Sequence, residues 1–268
     1  MLSHHFETIL RLACTALLAA MLINCGGRST PPAEQPAIAP LNDTGVNICL
    51  SANWDVELCD DSALSQQDGA HGRDARAEGS QLVKSGGGSA GFDFTKLAND
   101  GSPLAGDASE WACVRDNVTG LIWEAKSADN QAVNYKSHTY TWYEPTLNNG
   151  EVAGAINGGT CAIASCDTQA YQEHFNNEAI CGISHWRLPT VSELLSIADQ
   201  SQANPPLDTQ YFPQSDYNAH WTQQTVAGEP DFAWYVYFTA AGNGKIAKDT
   251  VARIRLVAEE LVTEELAQ

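Results

Sequence analysis

Residues 181–194 read Cys-Gly-Ile-Ser-His-Trp-Arg-Leu-Pro-Thr-Val-Ser-Glu-Leu, and this stretch decides the fold. Pro189 cannot continue a helix from its N-terminal side, and it biases the residue before it towards extended geometry. Thr190 is then placed to cap a new helix, and Glu193 has the spacing that closes a capping box on the Thr190 backbone N–H. The pattern predicts an extended segment that turns at Pro189 into a helix ending near residue 200.

The same stretch resembles the Trp-Arg-Leu-Pro-Thr-x-x-Glu-Leu signature of the Lcl C-terminal-like domain, a bacterial family long described as a domain of unknown function. The resemblance extends over about residues 43–258. Its further motifs are Asp43-Thr44-Gly45, Cys49 and Cys59, Gln67-Asp68, Gly72-Arg73-Asp74-Ala75, residues 91–97, 111–124, 139–143 and 158–161, and Arg255-Leu256-Val257. The resemblance implies a domain related to the C-type lectin-like fold, which formylglycine-generating enzymes also use. A fold shared by lectins, adhesins and enzymes does not define an activity.

The remaining periodicity predicts an α+β domain. Asp167 is placed to cap one helix, and the segment after Thr190 forms a second. Residues 60–110 are rich in Gly, Asp, Ser and Ala, which predicts long loops with short strands. Strands are expected at residues 80–84, 92–97, 139–143, 220–226, 232–240, 245–247 and 251–258, with two more within 111–124. We therefore expect a C-type lectin-like domain with two helices, antiparallel strands and long loops pinned by disulfides.

Residues 1–24 have the pattern of an export signal. Arg11 supplies the positive charge, and the apolar run at 12–23 is shorter than the about 20 residues that span a bilayer. The segment ends Leu-Ile-Asn-Cys, which resembles a bacterial lipobox, although Asn24 replaces the usual small residue. The resemblance implies that Cys25 is lipidated, with ordinary signal cleavage as the alternative. No acidic residue directly follows Cys25, and by the same resemblance this favours anchoring in the outer membrane over retention at the inner one. The domain would then face either the periplasm or the cell surface.

Residues 25–45 are predicted to be a proline-rich tether, so the expected membrane contact is the lipid anchor alone. The domain is expected to occupy residues 46–258, and residues 259–268 an acidic tail. The chain has 33 Asp and Glu against 14 Lys and Arg, a net charge of −19. The electrostatic field of such a negative chain repels phosphate backbones, which argues against nucleic acid as a partner. Adaptation to a salty medium is an equally open explanation of the acidity.

Six cysteines remain beyond Cys14 and Cys25, and an even set in an exported chain indicates disulfides. Cys49 and Cys59 flank a short hairpin, and Cys161 and Cys166 close a small loop. These two pairs leave Cys113 and Cys181 for a long-range bridge, although spacing alone leaves other pairings open. Zinc is disfavoured because the chain has neither a Cys-x-x-Cys nor a paired His spacing.

Two short motifs that resemble catalytic or nucleotide-binding sequences are not expected to be followed by the helix that such sites need. The glycine run at residues 86–91 matches Gly-x-Gly-x-x-Gly and Gly-x-Ser-x-Gly, but a strand rather than a helix is expected to follow, so we predict a turn. Candidate calcium ligands are Asn99-Asp100-Gly101, residues 107–110 and Glu193. For Glu193, a role in capping the helix is favoured over a role as a ligand. No other cofactor is expected. The aromatic residues Trp142, Tyr143, Trp221, Trp234 and Tyr235 lie in strand-like runs, where burial is expected rather than stacking on sugars.

The sequence-based expectation is a non-enzymatic binding or adhesion module for a glycan or another envelope component. The resemblance implies sulfated polysaccharide, but the charge of −19 favours a neutral sugar, a calcium-bridged acidic sugar or an envelope protein. One alternative is an enzyme on a formylglycine-generating-like fold, which would need a reactive cysteine pair. Another is a structural subunit of an envelope assembly, as a homo-oligomer.

Overall fold

A computed structural model describes residues 41–59, 62–146, 152–202, 206–215, 217–239 and 241–260. The expected signal at 1–24, the lipidation at Cys25, most of the tether and residues 261–268 of the expected tail lie outside this part of the chain. No helix within the described ranges is long and apolar enough to cross a membrane.

Three α-helices and eleven strands are present in the described residues. The helices are α1 (Gly72–Glu78), α2 (Thr168–Asn177) and α3 (Val191–Ser196). The strands are β1 (Cys49–Leu50), β2 (Val56–Glu57), β3 (Phe94–Leu97), β4 (Cys113–Asp116), β5 (Leu121–Glu124), β6 (Tyr140–Thr141), β7 (Ala219–Val226), β8 (Glu229–Tyr237), β9 (Gly242–Ala247), β10 (Val251–Ala252) and β11 (Val257–Glu259). Single 3-10 turns occupy Ser62–Leu64, Asp68–Ala70 and Ile180–Gly182.

The strands form antiparallel sheets. One sheet has the order β11-β5-β4-β3, and a second has the order β7-β8-β9, while β1 pairs with β2 and β6 with β10. This arrangement confirms the coarser expectation of a mixed domain with few helices, antiparallel strands and disulfides. The C-terminal strand β11 pairs with β5, so the end of the described chain is part of the first sheet.

Two buried clusters of side chains form the core. The first lies around Trp186 and α2 and includes Tyr171 and Phe175. The second packs α3, through Leu194, against the four-stranded sheet at Trp123. Because buried aromatic side chains remove large apolar areas from water, these clusters supply much of the driving force for folding.

Helix α1 contradicts the expectation of two helices with only loops and short strands between residues 60 and 110. Its N-terminus is capped from a distance, because the Asp43 carboxylate accepts hydrogen bonds from the backbone N–H groups of Arg73, at 2.8 Å, and Asp74, at 3.2 Å. Gly72 has φ +71°, a left-handed conformation that glycine adopts at little cost. A cap 30 residues away leaves no local sequence pattern.

Two further local predictions were wrong. Residues 80–84 form no strand, and α3 ends at Ser196 instead of near residue 200. The Ser196 hydroxyl donates to the Glu193 carbonyl at 2.7 Å, and the chain then turns so that the Asp199 N–H reaches the Pro206 carbonyl. A side chain that bonds back to its own helix carbonyls favours a helix end at this point.

The structure contains three disulfides, which join Cys49 to Cys59, Cys113 to Cys181, and Cys161 to Cys166. These are the three expected pairs, and the structure excludes the other pairings that spacing alone left open. The Cys113–Cys181 bridge fastens the start of β4 to the 3-10 turn just before Trp186. It therefore ties the first sheet to the segment that carries the decisive sequence motif.

Candidate binding cleft

The segment from Trp186 to Pro189 connects one helix with both larger sheets. Trp186 exchanges backbone hydrogen bonds with the side-chain amide of Asn176 in α2. Arg187 exchanges two backbone hydrogen bonds of 2.9 Å with Val257 in β11, and the Pro189 carbonyl accepts from Gln223 in β7. The motif is therefore the structural junction of the domain.

The predicted capping box is present. The Thr190 hydroxyl accepts from the Glu193 N–H at 3.1 Å, and the Glu193 carboxylate accepts from the Thr190 N–H at 2.7 Å. The same carboxylate accepts two hydrogen bonds from the Arg187 guanidinium. Burial alone would raise the pKa of Glu193, but these hydrogen bonds outweigh it and hold the pKa below its usual value.

Arg187 has a structural role rather than a ligand-binding one. A guanidinium has five N–H donors, and here all are used on Glu193, Glu259 and the Leu188 carbonyl. A small cavity of about 160 Å³ lies beside this residue, but no donor of Arg187 is left to point into it. The most recognisable motif of the sequence therefore builds the fold and does not itself form a binding site.

A much wider cleft of about 840 Å³ opens between three separate stretches of chain. One wall comes from the loop between β3 and β4, residues 98–112, and another from residues 125–134 after β5. Pro213 and Gln214 close the third side. The first wall leads into β4 and the second leaves β5, and these antiparallel neighbours pair Cys113 with Glu124, so the position of the cleft depends on the β4–β5 pairing.

Trp111 is the aromatic residue of this cleft. Its indole N–H donates to the Tyr211 carbonyl at 3.1 Å, and the Lys96 ammonium lies 3.8 Å from the ring centroid. Lys96 also donates to the Ala108 carbonyl at 2.8 Å, which fixes the β3–β4 loop. A cation–π contact with a buried lysine holds the indole in one orientation. The aromatic wall is therefore preorganised.

A buried ionic group stands behind the cleft. Lys126 is one of the lining residues, but its side chain is only 4% exposed, and its ammonium contacts the Glu124 carboxylate at 2.6 Å and the Tyr171 hydroxyl at 3.1 Å. The Tyr171 hydroxyl in turn donates to Glu124, which also accepts from the Leu256 N–H at 2.9 Å. Burial and then the Glu124 charge raise the pKa of Tyr171 well above its usual value, so it stays protonated and acts as a donor.

The expected calcium ligands come together only in part. Asn99 and Glu110 both line the cleft, whereas Asp100 accepts two hydrogen bonds from Ser102 in its own turn and Glu193 is engaged in the capping box. Among the described residues, no group of three or more His, Cys, Asp or Glu side chains could hold a metal ion. The convergence of the two predicted loops on one cleft was not visible from the sequence.

The aromatic residues that were expected to be buried divide into two groups. Trp142 and Trp221 are fully buried, and their indole N–H groups bond to backbone carbonyls. Tyr143, Trp234 and Tyr235 are only half-buried. None of the five lines the 840 Å³ cleft, and its Trp111 was noted in the sequence only as part of a strand region.

Some of the acidic side chains are buried and stabilise the fold, instead of contributing to the charge of the surface. Seven carboxylates are buried, and each accepts at least one backbone N–H hydrogen bond. They are Asp74, Asp93, Asp116, Glu124, Asp167, Asp199 and Asp208. Among the Lys and Arg residues of the described ranges, Lys96, Lys248 and Arg255 are equally buried, and so is the side chain of Lys126. The surface therefore carries a smaller negative charge than the total of −19 indicates.

All six cysteines in the described residues are paired, so this part of the chain contains no reactive cysteine pair of the kind that a formylglycine-generating oxidase needs. The glycine run at residues 86–91 leads into β3. The Gly-x-Gly-x-x-Gly pattern of dinucleotide-binding loops and the Gly-x-Ser-x-Gly pattern of nucleophile elbows both require a helix at that point, so neither function is supported.

Comparisons with known proteins give one match. The sequence profile of the Lcl C-terminal domain matches residues 112–258, which is more than half of the chain. The match begins at Ala112, so the resemblance seen from residue 43 onward is supported from that position only. No curated protein and no solved structure is significantly similar to the chain. The protein belongs to the Lcl C-terminal domain family.

Proposed function

We propose that this chain is an exported, lipid-anchored envelope protein that binds a glycan non-enzymatically in the 840 Å³ cleft. The observation that carries the proposal is the composition of that cleft. It combines one oriented indole, Trp111, with the exposed residues Glu110 and Asn99, beside Lys126, whose ammonium is held by Glu124. Sugars are recognised by aromatic stacking together with hydrogen bonds from side chains of this kind.

The dimensions of the cleft fit a small oligosaccharide. Ligand sites commonly have volumes of about 300 to 1,000 Å³, and the cleft lies within that range. Its walls are held in place by β-pairing, the Lys96–Trp111 contact and the Cys113–Cys181 disulfide. A preformed site loses little conformational entropy when it binds a ligand.

The charge of the cleft favours neutral sugars or amino sugars over sulfated ones. Glu110 is exposed at the cleft, and Lys126 is already paired with Glu124. A sulfate group would therefore meet one exposed carboxylate and a cation that is already neutralised. A calcium-bridged acidic sugar is the alternative, and the effect of a chelator distinguishes the two.

The test is a glycan array probed with residues 41–268, which include Asp43 and its contacts to α1, with calcium or with a chelator. We expect saturable binding to a defined sugar. Glu110→Gln should weaken the binding by removing an acceptor, and Trp111→Phe should weaken it by reducing the stacking surface. Glu178→Gln, an exposed carboxylate at the end of α2, is the matched control. Silence in both conditions, or binding that neither cleft variant changes, would overturn the glycan proposal.

The relation to the C-type lectin-like fold is part of the same proposal. It is supported by the mixed α and β composition, the long loop between β3 and β4, and the disulfides Cys113–Cys181 and Cys161–Cys166. An experimental structure of residues 41–268, superposed on lectin domains, is the measurement that decides this relation.

The anchor and the oligomeric state require separate tests. Metabolic labelling with a fatty acid should mark the wild-type chain and not Cys25→Ser, and fractionation should place only the labelled chain in the outer membrane. Unchanged labelling of the variant would contradict lipidation at Cys25. Light scattering on residues 41–268 tests the structural-subunit alternative, which requires an obligate homo-oligomer.

A further inference from the structure

Exposed apolar side chains are concentrated in one short stretch of the described chain. Of eleven large hydrophobic side chains that are exposed, six lie within residues 41–58. They are Leu41, Ile48, Leu50, Trp54, Val56 and Leu58, with exposed fractions of 49, 41, 36, 81, 65 and 59%. Single exposed apolar residues are ordinary, but a cluster of this kind marks an interaction surface.

Four of these side chains share one face of the β1–β2 hairpin. Leu50 is paired with Val56, and side chains alternate between the two faces of a strand, so Ile48 and Leu58 lie on the same face as that pair. Cys49 lies on the opposite face and is fully buried. The hairpin therefore presents its apolar face to solvent, the reverse of the usual alternation in a half-solvated sheet.

The hairpin is held rigidly at its base. The Cys49–Cys59 disulfide closes it, and the side-chain amide of Gln67 makes two hydrogen bonds of 2.7 Å with the backbone N–H and carbonyl of Leu50. Gly69 lies so close to the Ile48 backbone that a Cβ there would collide with it. The apolar face is consequently fixed in its outward orientation before any partner binds.

Trp54 forms the tip of this hairpin. Its backbone N–H donates to the Ser51 carbonyl at 3.0 Å, and the Ser51 hydroxyl accepts from the N–H groups of Asn53 and Asp55. The residue has φ +67° and is the most exposed of the six. A left-handed conformation in a non-glycine residue costs free energy. The turn nevertheless adopts it, and the large indole of Trp54 is exposed to solvent.

We propose that this hairpin face, formed by Ile48, Leu50, Val56 and Leu58 with Trp54 at its tip, docks on the surface of a lipid bilayer of low net charge. Indole rings favour the boundary between headgroups and acyl chains, because they combine an apolar body with one polar N–H. The aliphatic side chains beside the ring would enter the same boundary. The sequence-based expectation that the anchor alone contacts the membrane is revised by this proposal.

The size of the face argues against a second copy of the chain as the occupant. Strand spacing and rise give it dimensions of about 10 by 20 Å. A stable dimer interface buries about 800 Å² on each partner, several times what this ribbon offers. A bilayer requires no matched surface, so a small apolar tip is sufficient for shallow insertion.

Charge and chain connectivity indicate the kind of lipid and the geometry. Residues 46–59 contain Asp55 and Glu57 and neither Lys nor Arg, so anionic headgroups would repel the hairpin. The hairpin is the first element after the tether, and only 15 residues lie between Cys25 and Leu41. The proposal does not depend on lipidation or on the glycan cleft, although an anchored chain would bring the hairpin close to lipid.

The test uses residues 25–268 with Cys25→Ser, which removes both the apolar leader and the acylation site. Binding to phosphatidylcholine–phosphatidylethanolamine vesicles is measured by co-sedimentation, and again after phosphatidylglycerol is added. We expect binding to the neutral vesicles that weakens with the anionic lipid. Val56→Ser combined with Leu58→Ser should raise the Kd about tenfold or more, because two aliphatic side chains no longer leave water. Trp54→Ser should act in the same direction.

Val83→Ser is the matched control, since Val83 is 92% exposed and lies outside the hairpin. All substituted side chains are exposed, and circular dichroism checks that each variant is folded. Failure to bind neutral vesicles, or binding that the hairpin variants leave unchanged, would overturn the proposal. So would hairpin variants that change the sedimentation coefficient in the absence of lipid, because the face would then be an interface between copies.

Discussion

The guanidinium of Arg187 donates two hydrogen bonds to the carboxylate of Glu193, at 2.9 Å to Oε2 and 2.7 Å to Oε1. Because the Arg187 backbone is paired with Val257, this contact links the first turn of α3 to the edge of the four-stranded sheet. The capping box and the ion pair share a single carboxylate. The conformation of the whole junction therefore depends on that one charged group.

Glu193→Gln should destabilise the domain by about 1–2 kcal/mol at neutral pH, because the amide can still cap Thr190 but cannot pair ionically with Arg187. The pKa of Glu193 lies below its usual value, so its contribution is present above the unfolded pKa and is lost as pH falls through the folded pKa. Urea unfolding at several pH values should show the difference from wild type shrinking in acid. A difference that grows on acidification would contradict this, and Glu178→Gln should have no effect.

Asp116 should show the opposite pH dependence. Burial raises the pKa of its carboxyl, and hydrogen bonds from Val118, Thr119 and Asn42 offset this rise only in part. The folded protein then binds this proton more tightly than the unfolded chain, so stability falls as pH rises between the unfolded and the folded pKa. Relative to Asp116→Asn, the wild type should gain stability as pH is lowered from about 7 to about 4. A constant difference between the two proteins over this interval would refute the prediction.

Asp43→Ala should destabilise the protein by about 1 kcal/mol, the usual cost of losing a helix cap. The effect should be local to α1, because the Asp43 carboxylate caps Arg73 and Asp74 at the start of this helix. Hydrogen exchange should accelerate in residues 72–78 and remain unchanged in α2. Asp43→Asn, which keeps an acceptor oxygen, should be milder. Equal protection of α1 in all three proteins would rule out the remote cap.

Lys126→Met should cost about 3–5 kcal/mol, because it leaves the fully buried carboxylate of Glu124 without its cation. Tyr171→Phe should cost about 1–2 kcal/mol, since one hydrogen bond is lost and the ion pair remains. The double variant Lys126→Met with Glu124→Gln should recover part of the loss. Thermal and urea unfolding measure all three variants. A double variant that is no more stable than Lys126→Met would show that packing, and not the unpaired charge, causes the cost.

The contribution of each disulfide to the free energy of unfolding should depend on the length of the loop that it closes. The Cys113–Cys181 bridge spans 68 residues and the Cys161–Cys166 bridge spans five. Loop entropy in the unfolded chain predicts that replacing both cysteines by serine costs about 4 kcal/mol for the long loop and about 2 kcal/mol for the short one. Denaturant midpoints of the two double variants test this order, and a reversed order would show that native-state strain dominates.

Features whose cause lies within a few residues could be predicted from the sequence. The turn at Pro189, the Thr190 capping box, the Asp167 cap of α2 and the β4–β5 pair each depend on nearby residues, and each is found in the structure. The family assignment follows from the same local motifs. Local patterns predict these features because hydrogen bonds within one turn need no information about the rest of the chain.

Apart from the Cys113–Cys181 bridge, which remained once the two local pairs were assigned, features whose cause lies far along the chain could not be predicted. The sequence by itself determined a disulfide-bonded α+β domain and placed its central junction at Trp186–Thr190. Only the tertiary structure created α1 through Asp43, buried seven carboxylates on backbone N–H groups and turned the apolar face of the first hairpin outward. It also brought residues 98–112, 125–134 and 213–214 together as one cleft. The physical reason is that burial and long-range hydrogen bonds depend on which distant segments meet, and no local periodicity encodes that choice.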